Sequence, residues 1–367
     1  MEYCYCLLTL SCFLSLSWAF QCVDEEGRSV DWFIIYKMPR MFGRTDGKLK
    51  YGTRYLYMDK KTPYWRQSFH DIDDPDGALG RTLQPLYEAM DMTTTFYMMY
   101  NDAYPNGTVS WKAAHSKGVL AFSDRLGFWL IHSVPKFPPP TTFDYPNTGK
   151  VFGQTLLCIT FNLNTLKEIG EQLYYNSPGV YAAQVPLSIA QRFPVLVKVL
   201  VGEGPKTAPF VRLAKIRSAG GEVFHHFAKS KKWGKELYSD LVAPSLKIPL
   251  LVETWQRGTS TNLPSNCTEP YYVENVKHIR PSKNFSFPAL DDHSKWAVAD
   301  QARPFVCIGD INRQKGQINR GGGTVCFNSR RVWEVYRNSI LDFEECPLYD
   351  FFSNSEQRRW SQRIRFP

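Results

Sequence analysis

A long internal repeat constrains this chain more than any other feature. His115-Ser116-Lys117 is answered 178 residues later by His293-Ser294-Lys295, a separation of about half the chain. Seventeen residues beyond each histidine a further polar residue closes an apolar run: His132 follows Gly127-Phe128-Trp129-Leu130-Ile131, and Asp310 follows Cys307-Ile308-Gly309. A three-residue match can arise by chance, but equal downstream spacing in both copies is what two descendants of one ancestral domain would leave. The expectation is a fold of two similar halves, each supplying one His-x-Lys motif.

In an extended segment residues i and i+2 point to the same face, so the His and Lys of one motif can reach a single phosphate together. Two such motifs suit phosphoryl transfer. One imidazole attacks phosphorus, the other protonates the leaving oxygen, and the two ammonium groups neutralise the equatorial oxygens. The candidate catalytic set is therefore His115, Lys117, His293 and Lys295. Fixed cations replace the divalent metal that such chemistry often uses, and the sequence shows no carboxylate cluster to bind one, so the reading calls for no metal and no cofactor. Two imidazoles sharing a site titrate as a coupled pair, and a reference pKa of ~6.5 makes an acidic working range natural. A lone histidine is more often packed or on the surface, and His70, His225, His226 and His278 are read that way.

The start of the chain places this chemistry outside the cytosol. Met1 to Ala19 carries an apolar run (Leu7, Leu8, Leu10, Phe13, Leu14, Leu16) ending in small residues, which reads as a signal peptide despite Glu2 being its one ionic residue. The run is shorter than the ~20 apolar residues that a membrane span needs. Removing it takes Cys4, Cys6 and Cys12 and leaves Cys22, Cys158, Cys267, Cys307, Cys326 and Cys346. An even set in an oxidising compartment reads as three disulfides, for which spacing alone allows 15 pairings. Zinc is disfavoured because no Cys-x-x-Cys or His-Glu-x-x-His occurs. Sequons at Asn106, Asn266 and Asn284 agree with the secretory route. The formal charge of +9 favours a polyanion over a neutral substrate, although part of it lies in the tail around Arg358, Arg359, Arg363 and Arg365.

Hydrophobic patterning gives strands at Val30 to Tyr36, Thr94 to Tyr100, Gly118 to Phe122, Gly127 to Ile131 and Leu156 to Phe161. Helical spacing appears over Leu83 to Met90, Leu166 to Tyr174, Val223 to Leu241 and Val332 to Leu341, while Val195 to Val201 suits either. Val134 to Pro140 reads as an extended loop, and Gly202 to Lys215 as a link between halves. This mixture indicates an α/β or mixed α+β fold. The expected divisions are residues 1–19 (signal), 20–200 (first half) and 201–367 (second half with the basic tail).

A family resemblance now becomes specific. Val30-Asp31-Trp32-Phe33 with Tyr36-Lys37-Met38-Pro39, Gly80 to Tyr87, Tyr100-Asn101-Asp102, His115 to Gly118, Gly127 to Pro135, Leu263 to Cys267, Asp292 to Trp296 and Cys307 to Arg313 resemble, in order, the landmarks of deoxyribonuclease II. The resemblance implies a phospholipase D-like pseudodimer, each half a mixed sheet flanked by helices. It also implies metal-independent cleavage of DNA at acidic pH to 3′-phosphate and 5′-hydroxyl ends through a phosphohistidine, in the lysosome or outside the cell. By analogy His115 is the nucleophile and His293 the acid. Gly309-Asp310-Ile311-Asn312 is similar to the superfamily's Gly-Ser-x-Asn element, which makes Asn312 a phosphate or orienting contact and Asp310 an orienter of a histidine. The superfamily's aspartate after His-x-Lys is not matched at Phe122, and His132 is a candidate to take part instead. The implied disulfides are Cys22 with Cys158, Cys267 with Cys346 and Cys307 with Cys326; the last encloses Gly321-Gly322-Gly323, either a close approach to phosphate or a plain turn. The expected partner is double-stranded DNA read with little sequence preference, and the sequence leaves monomer and homodimer open. Two rivals remain: another phosphodiesterase or phospholipase of the superfamily, and an inactive secreted nucleic-acid-binding protein.

Overall fold

A computed structural model describes residues 20–347 apart from 44, 90–93, 258–260 and 302. The expected signal peptide and most of the basic tail lie outside the described residues. After a small hairpin of β1 (Cys22–Val23) and β2 (Ser29–Val30), the chain builds its first large sheet. Its strands are β3 (Trp32–Lys37), β4 (Tyr55–Asp59), β5 (Arg66–Gln67), β6 (Phe96–Tyr100), β7 (Gly118–Phe122), β8 (Leu126–His132), β9 (Gln154–Asn162) and β10 (Val180–Gln184), in the order β10-β6-β7-β8-β9-β3-β4-β5. The second sheet holds β11 (Val211–Arg217), β12 (Val223–Lys229), β13 (Leu250–Glu253), β14 (Val273–Ser282), β15 (Phe285–Pro288), β16 (Trp296–Ala299), β17 (Phe305–Gly309) and β18 (Gly322–Asn328), with β19 (Ile340–Phe343) on β14. Its order is β11-β12-β18-β17-β16-β13-β14-β15. The run β6-β7-β8-β9-β3-β4 in the first sheet therefore matches β13-β16-β17-β18-β12-β11 in the second, and the strand that follows each His-x-Lys, β7 or β16, holds the same place.

Both faces of each sheet are apolar, which is why the central strands read as continuous hydrophobic runs. Ile34, Tyr36, Leu120, Trp129 and Ile159 of the first sheet face Leu251, Trp296, Val298, Val306, Ile308 and Phe327 of the second in one shared core. The alternate residues turn outward, as the two-residue period demands. Phe33, Ile35, Val119 and Leu130 meet helix α1 (Ala78–Ala89), and Leu250, Val252, Ala297 and Cys307 meet the helical stretch from Tyr238 to Leu246. Helix α2 (Leu166–Asn176) buries Leu166, Ile169 and Leu173 in the shared core and packs on β11 and β12, so an element of the first part of the chain caps the sheet of the second. The short helix α3 (Val195–Leu200) and the later α4 (Arg330–Asn338) also face this core through Leu196 and Tyr336. Truncating a fully buried residue such as Trp296 to Ala would cost about 3–5 kcal/mol.

A polar latch also joins the sheets. Asp31, beside β3, accepts hydrogen bonds from Gly220 N at 2.6 Å and Ser218 Oγ at 2.8 Å. Three disulfides, Cys22–Cys158, Cys267–Cys346 and Cys307–Cys326, take the pairing that the family resemblance implies. Among the described residues no helix is long and apolar enough to cross a membrane.

Three sequence expectations fail here. The link expected over Gly202 to Lys215 gives way at Val211 to strand β11, which pairs with β12. Val223 to Leu241 is not one helix: Val223-Phe-His-His-Phe-Ala-Lys229 is strand β12, paired on both edges, and helical turns follow it. The apolar residues Val223, Phe224, Phe227 and Ala228 mimic helical spacing because both faces of the strand meet protein. The helix expected to reach Leu341 stops at Asn338, since Ile340–Phe343 pairs with β14. The ambiguous Val195 to Val201 is largely helical.

Candidate active site

Each His-x-Lys motif lies just ahead of its strand, which begins at Gly118 in one copy and at Trp296 in the other, rather than within it. In the first motif both side chains turn to Asp102, two residues past β6. Lys117 Nζ donates to Asp102 Oδ1 at 2.5 Å, His115 Nε2 lies 3.8 Å from Oδ2, and Arg320 Nη2 donates to Oδ2 at 3.0 Å. Burial opposes ionisation of Asp102, but Lys117, His115 and Arg320 together outweigh it and hold the carboxyl well below its usual range. Burial, reinforced by Lys117, pushes His115 well below the ordinary histidine value, with Asp102 opposing. His115 Nδ1 sits 2.5 Å from the Asp310 carbonyl oxygen. A carbonyl only accepts, so Nδ1 carries the proton and, in the neutral ring, Nε2 keeps its lone pair.

The second motif has different walls. The His293 ring stacks on Phe152 with centroids 4.0 Å apart and planes 7° apart, and Trp255, tilted by 57°, packs beside it at 4.0 Å, roughly at right angles to the Phe152 contact. Its Nε2 is buried without a hydrogen-bond partner. Burial, then Lys295 and Lys117, push its pKa down to about 2. Lys295 Nζ donates to the His293 carbonyl, and burial followed by the charge of Lys117 brings this lysine down to about 7. Asp292 accepts from Ser294 N at 2.9 Å, Ser294 Oγ at 2.7 Å and the hydroxyl of Tyr36, which ties the motif to the first sheet. The two sides share one electrostatic environment: Lys295 acts on His115, and Lys117 and His115 act on His293.

The backbone is exchanged as well. His115 N donates to Gly321 O and His293 N donates to Gly153 O, both at 2.9 Å, so each motif is anchored by the loop that leads into a strand of the opposite sheet.

Supporting residues fall where the sequence points, in altered roles. Asp310 orients His115 through its backbone carbonyl, while its carboxylate accepts from Gly323 N at 2.7 Å and is pushed up to about 7 by burial. His132 lies behind Lys117: its own N–H donates to Lys117 O at 3.2 Å, its Nδ1 accepts from Val134 N at 3.2 Å, and burial followed by the Lys117 charge lowers it to about 3. Asn312 is buried with its Oδ1 unpartnered. Phe122, where the superfamily aspartate is missing, is core; the carboxylate beside His115 comes from Asp102 instead. Gly321 and Gly323 form no loose turn, because a Cβ there would lie 2.0 Å from Asn176 O and 2.4 Å from Phe227 O. These glycines let protein backbones approach one another. The sequence alone assigns no role to Asp102, Phe152, Trp255 or Arg320, although Asp102 falls in the family-like run Tyr100-Asn101-Asp102.

Two imidazoles and two lysines at matched ends of two alike sheets are the equipment of a hydrolase acting on a phosphate ester. Comparison with known proteins makes the class narrower. The family model described as deoxyribonuclease II matches residues 21–346. Cell death-related nuclease 6 of Caenorhabditis elegans is 40% identical, with 89% of this chain and 90% of that protein covered. Deoxyribonuclease-2-beta of Homo sapiens is 38% identical over 89% and 91% of the two chains, and plancitoxin-1 of Acanthaster planci is 38% identical over 89% and 93%. The chain belongs to the deoxyribonuclease II family; it is a nuclease, and its substrate is DNA.

Proposed function

We propose that this enzyme is an acid endonuclease that cuts both strands' phosphodiester bonds without a divalent metal, leaving 3′-phosphate and 5′-hydroxyl ends. The observation that carries the reading is the meeting of two His-Lys pairs, one from each sheet, at a seam where the backbone N–H of each histidine is held by a loop of the opposite sheet. Lys117 and Lys295 clamp the non-bridging oxygens. His115 Nε2, its lone pair held ready by the Nδ1–H bond to Asp310 O, attacks phosphorus and forms the phosphohistidine. The P–O5′ bond breaks, and the leaving oxygen takes a proton from His293. Neutral His293 then removes a proton from water, which attacks the phosphohistidine, frees the 3′-phosphate and restores both rings. A ring stacked on Phe152 and packed against Trp255, with Nε2 free of partners, suits that to-and-fro role. Burial, and after it the charges of Lys295 and Lys117, depress His293; a bound phosphodiester anion offsets the lysine part and raises its proton affinity.

Acid operation follows from signs. Below about pH 7 Lys295 is cationic and Asp310 is neutral; above it one positive charge is lost and one negative charge appears, and both changes weaken phosphate binding. Phosphate contacts carry no base identity, so sequence preference is slight. The signal at residues 1–19, the sequons at Asn106, Asn266 and Asn284 and the disulfides support secretion or delivery to the lysosome. The two halves divide at residues 200 and 201. Plasmid nicking at pH 5 with excess chelator, beside His115→Ala and His293→Ala, tests the proposal: chelator-resistant cutting lost in both variants is expected, and cutting that needs added metal overturns it.

A further inference from the structure

Two buried lysines outside the motifs repeat one arrangement. Lys37 ends β3 and pairs in register with Gln154, the first residue of β9; Lys229 ends β12 and pairs with Gly322, the first residue of β18. These are matched positions in the two sheets, and both side chains are wholly buried. Among the described residues neither ammonium has a carboxylate as a hydrogen-bond acceptor; each points into carbonyls of the segment that leads from a short helix into that strand. Lys37 Nζ donates to Lys150 O at 3.0 Å and to Phe152 O. Lys229 Nζ donates to Ile318 O and Arg320 O at 2.8 Å and to Gln317 O at 3.4 Å, which uses all three of its protons.

The residue after the last clamped carbonyl is Gly153 in one loop and Gly321 in the other, and those are the two that accept the backbone N–H of His293 and His115. The last clamped residue itself touches the same histidine's surroundings: Phe152 stacks on His293, and Arg320 pairs with Asp102 beside His115. Both glycines are needed for the approach, since a Cβ on Gly153 would lie 2.4 Å from Asp292 Oδ1 and one on Gly321 2.0 Å from Asn176 O.

From this geometry we infer that Lys37 and Lys229 are positioning residues, each clamping a loop of its own sheet so that the loop fixes the catalytic histidine of the opposite sheet. Lys37 sets His293 and Lys229 sets His115. An ammonium does this better than a hydrogen-bonding neutral group, because one rigid point holds several carbonyls at once and charge-assisted bonds are the stronger kind. A displacement of about 1 Å at a reacting group costs on the order of 100-fold in rate.

The kinetic half of the test rests on the two-histidine reading; the spectroscopic half does not. In the full chain, Lys37→Met and Lys229→Met are compared with wild type by single-turnover DNA cleavage and by imidazole NMR with labelled histidine. Each variant is expected to lower kcat about 10- to 100-fold, with KM for DNA within about 2-fold. Lys37→Met should move the His293 resonances and leave those of His115, and Lys229→Met the reverse. Adding Phe152→Leu to Lys37→Met should cost less than the two changes apart, whereas with Lys229→Met the effects should add. If a Met variant does not fold, Lys37→Arg and Lys229→Arg, which keep the charge and the donors, are read for the same side-selective shift. Equal shifts at both histidines, a rise in KM that accounts for the loss, or failure of both substitutions to fold would overturn the inference. Side-selective shifts with cleavage unchanged would leave the clamps standing and sink the chemistry proposed for the histidines.

Discussion

The surroundings of His115 and His293 are built on one frame and lined with opposite chemistry. Tyr100 pairs with Gly118 in one sheet as Glu253 pairs with Trp296 in the other, so Asp102 and Trp255, each two residues further on, occupy matched positions. Arg320 and Phe152, each just before its exchanged glycine, match as well. Beside His115 these two places hold an ion pair at 3.0 Å; beside His293 they hold an edge-to-face aromatic pair at 5.7 Å. The duplicated scaffold thus keeps the positions of its imidazoles while the walls make them unequal. One ring has its tautomer fixed by a carbonyl and a single carboxylate set among several cations around it. The other has its plane fixed and its edge left free.

The largest test of that inequality removes each ring. His115→Ala and His293→Ala should each lower cleavage at least about 10⁴-fold, the scale on which loss of one member of a catalytic unit is felt. They should differ in what accumulates: with a labelled oligonucleotide and an alkaline quench, His293→Ala traps label on the protein and His115→Ala does not. The opposite pattern would exchange the two roles. Next in size is Asp102→Asn, which leaves Lys117 and Arg320 buried without their counter-charge and should cost about 3–5 kcal/mol of stability in a denaturant melt. The Asp102 carboxyl is held down in the folded state, so its contribution is present above the ordinary carboxylate pKa and is lost only as pH falls toward the depressed one. Wild type should therefore keep it at pH 5.

Lys295→Met should slow cleavage about 100-fold, as removal of one stabilising charge does elsewhere. Lys295→Arg sharpens the comparison, because a guanidinium stays charged where this lysine, at about 7, does not. In a rate-against-pH profile the alkaline limb should move upward in that variant, and a limb that stays in place would remove Lys295 from the account of acid operation. The smallest expected effect is that of Trp255→Leu. Taking one wall from His293 should cost about 1 kcal/mol of ring contact and roughly 10-fold or less in kcat. A loss as large as that of His293→Ala would show that the aromatic side does more than hold a plane.

Much of this was legible because both sheets are buried on both faces. Dense β-branched and aromatic runs marked β7, β8 and β9 to within a residue or two, and the repeat marked the four motif residues. Charged strands were harder. Val273–Ser282 carries Glu274, Asn275, Lys277, His278 and Arg280 within ten residues and shows no apolar run, although it pairs with three other strands. The walls of the site were illegible for another reason: Phe152 and Arg320 reach the histidines from loops of the opposite sheet, and no local pattern records a contact made across a duplication. Asp310 shows the same limit, since its carbonyl rather than its carboxylate holds the imidazole.

The disulfides have a bearing on how the molecule would come apart. Cys22–Cys158 closes on the first sheet, and Cys267–Cys346 and Cys307–Cys326 close within the second. Among the described residues none joins the two. The covalent link is the main chain, which between α3 and β11 passes through the exposed Val201, Gly202 and Glu203 and again through Lys206 to Pro209. A protease nicking there would give two fragments on a denaturing gel, with or without reductant, from what remains one particle in solution, held by the shared core and the Asp31 latch.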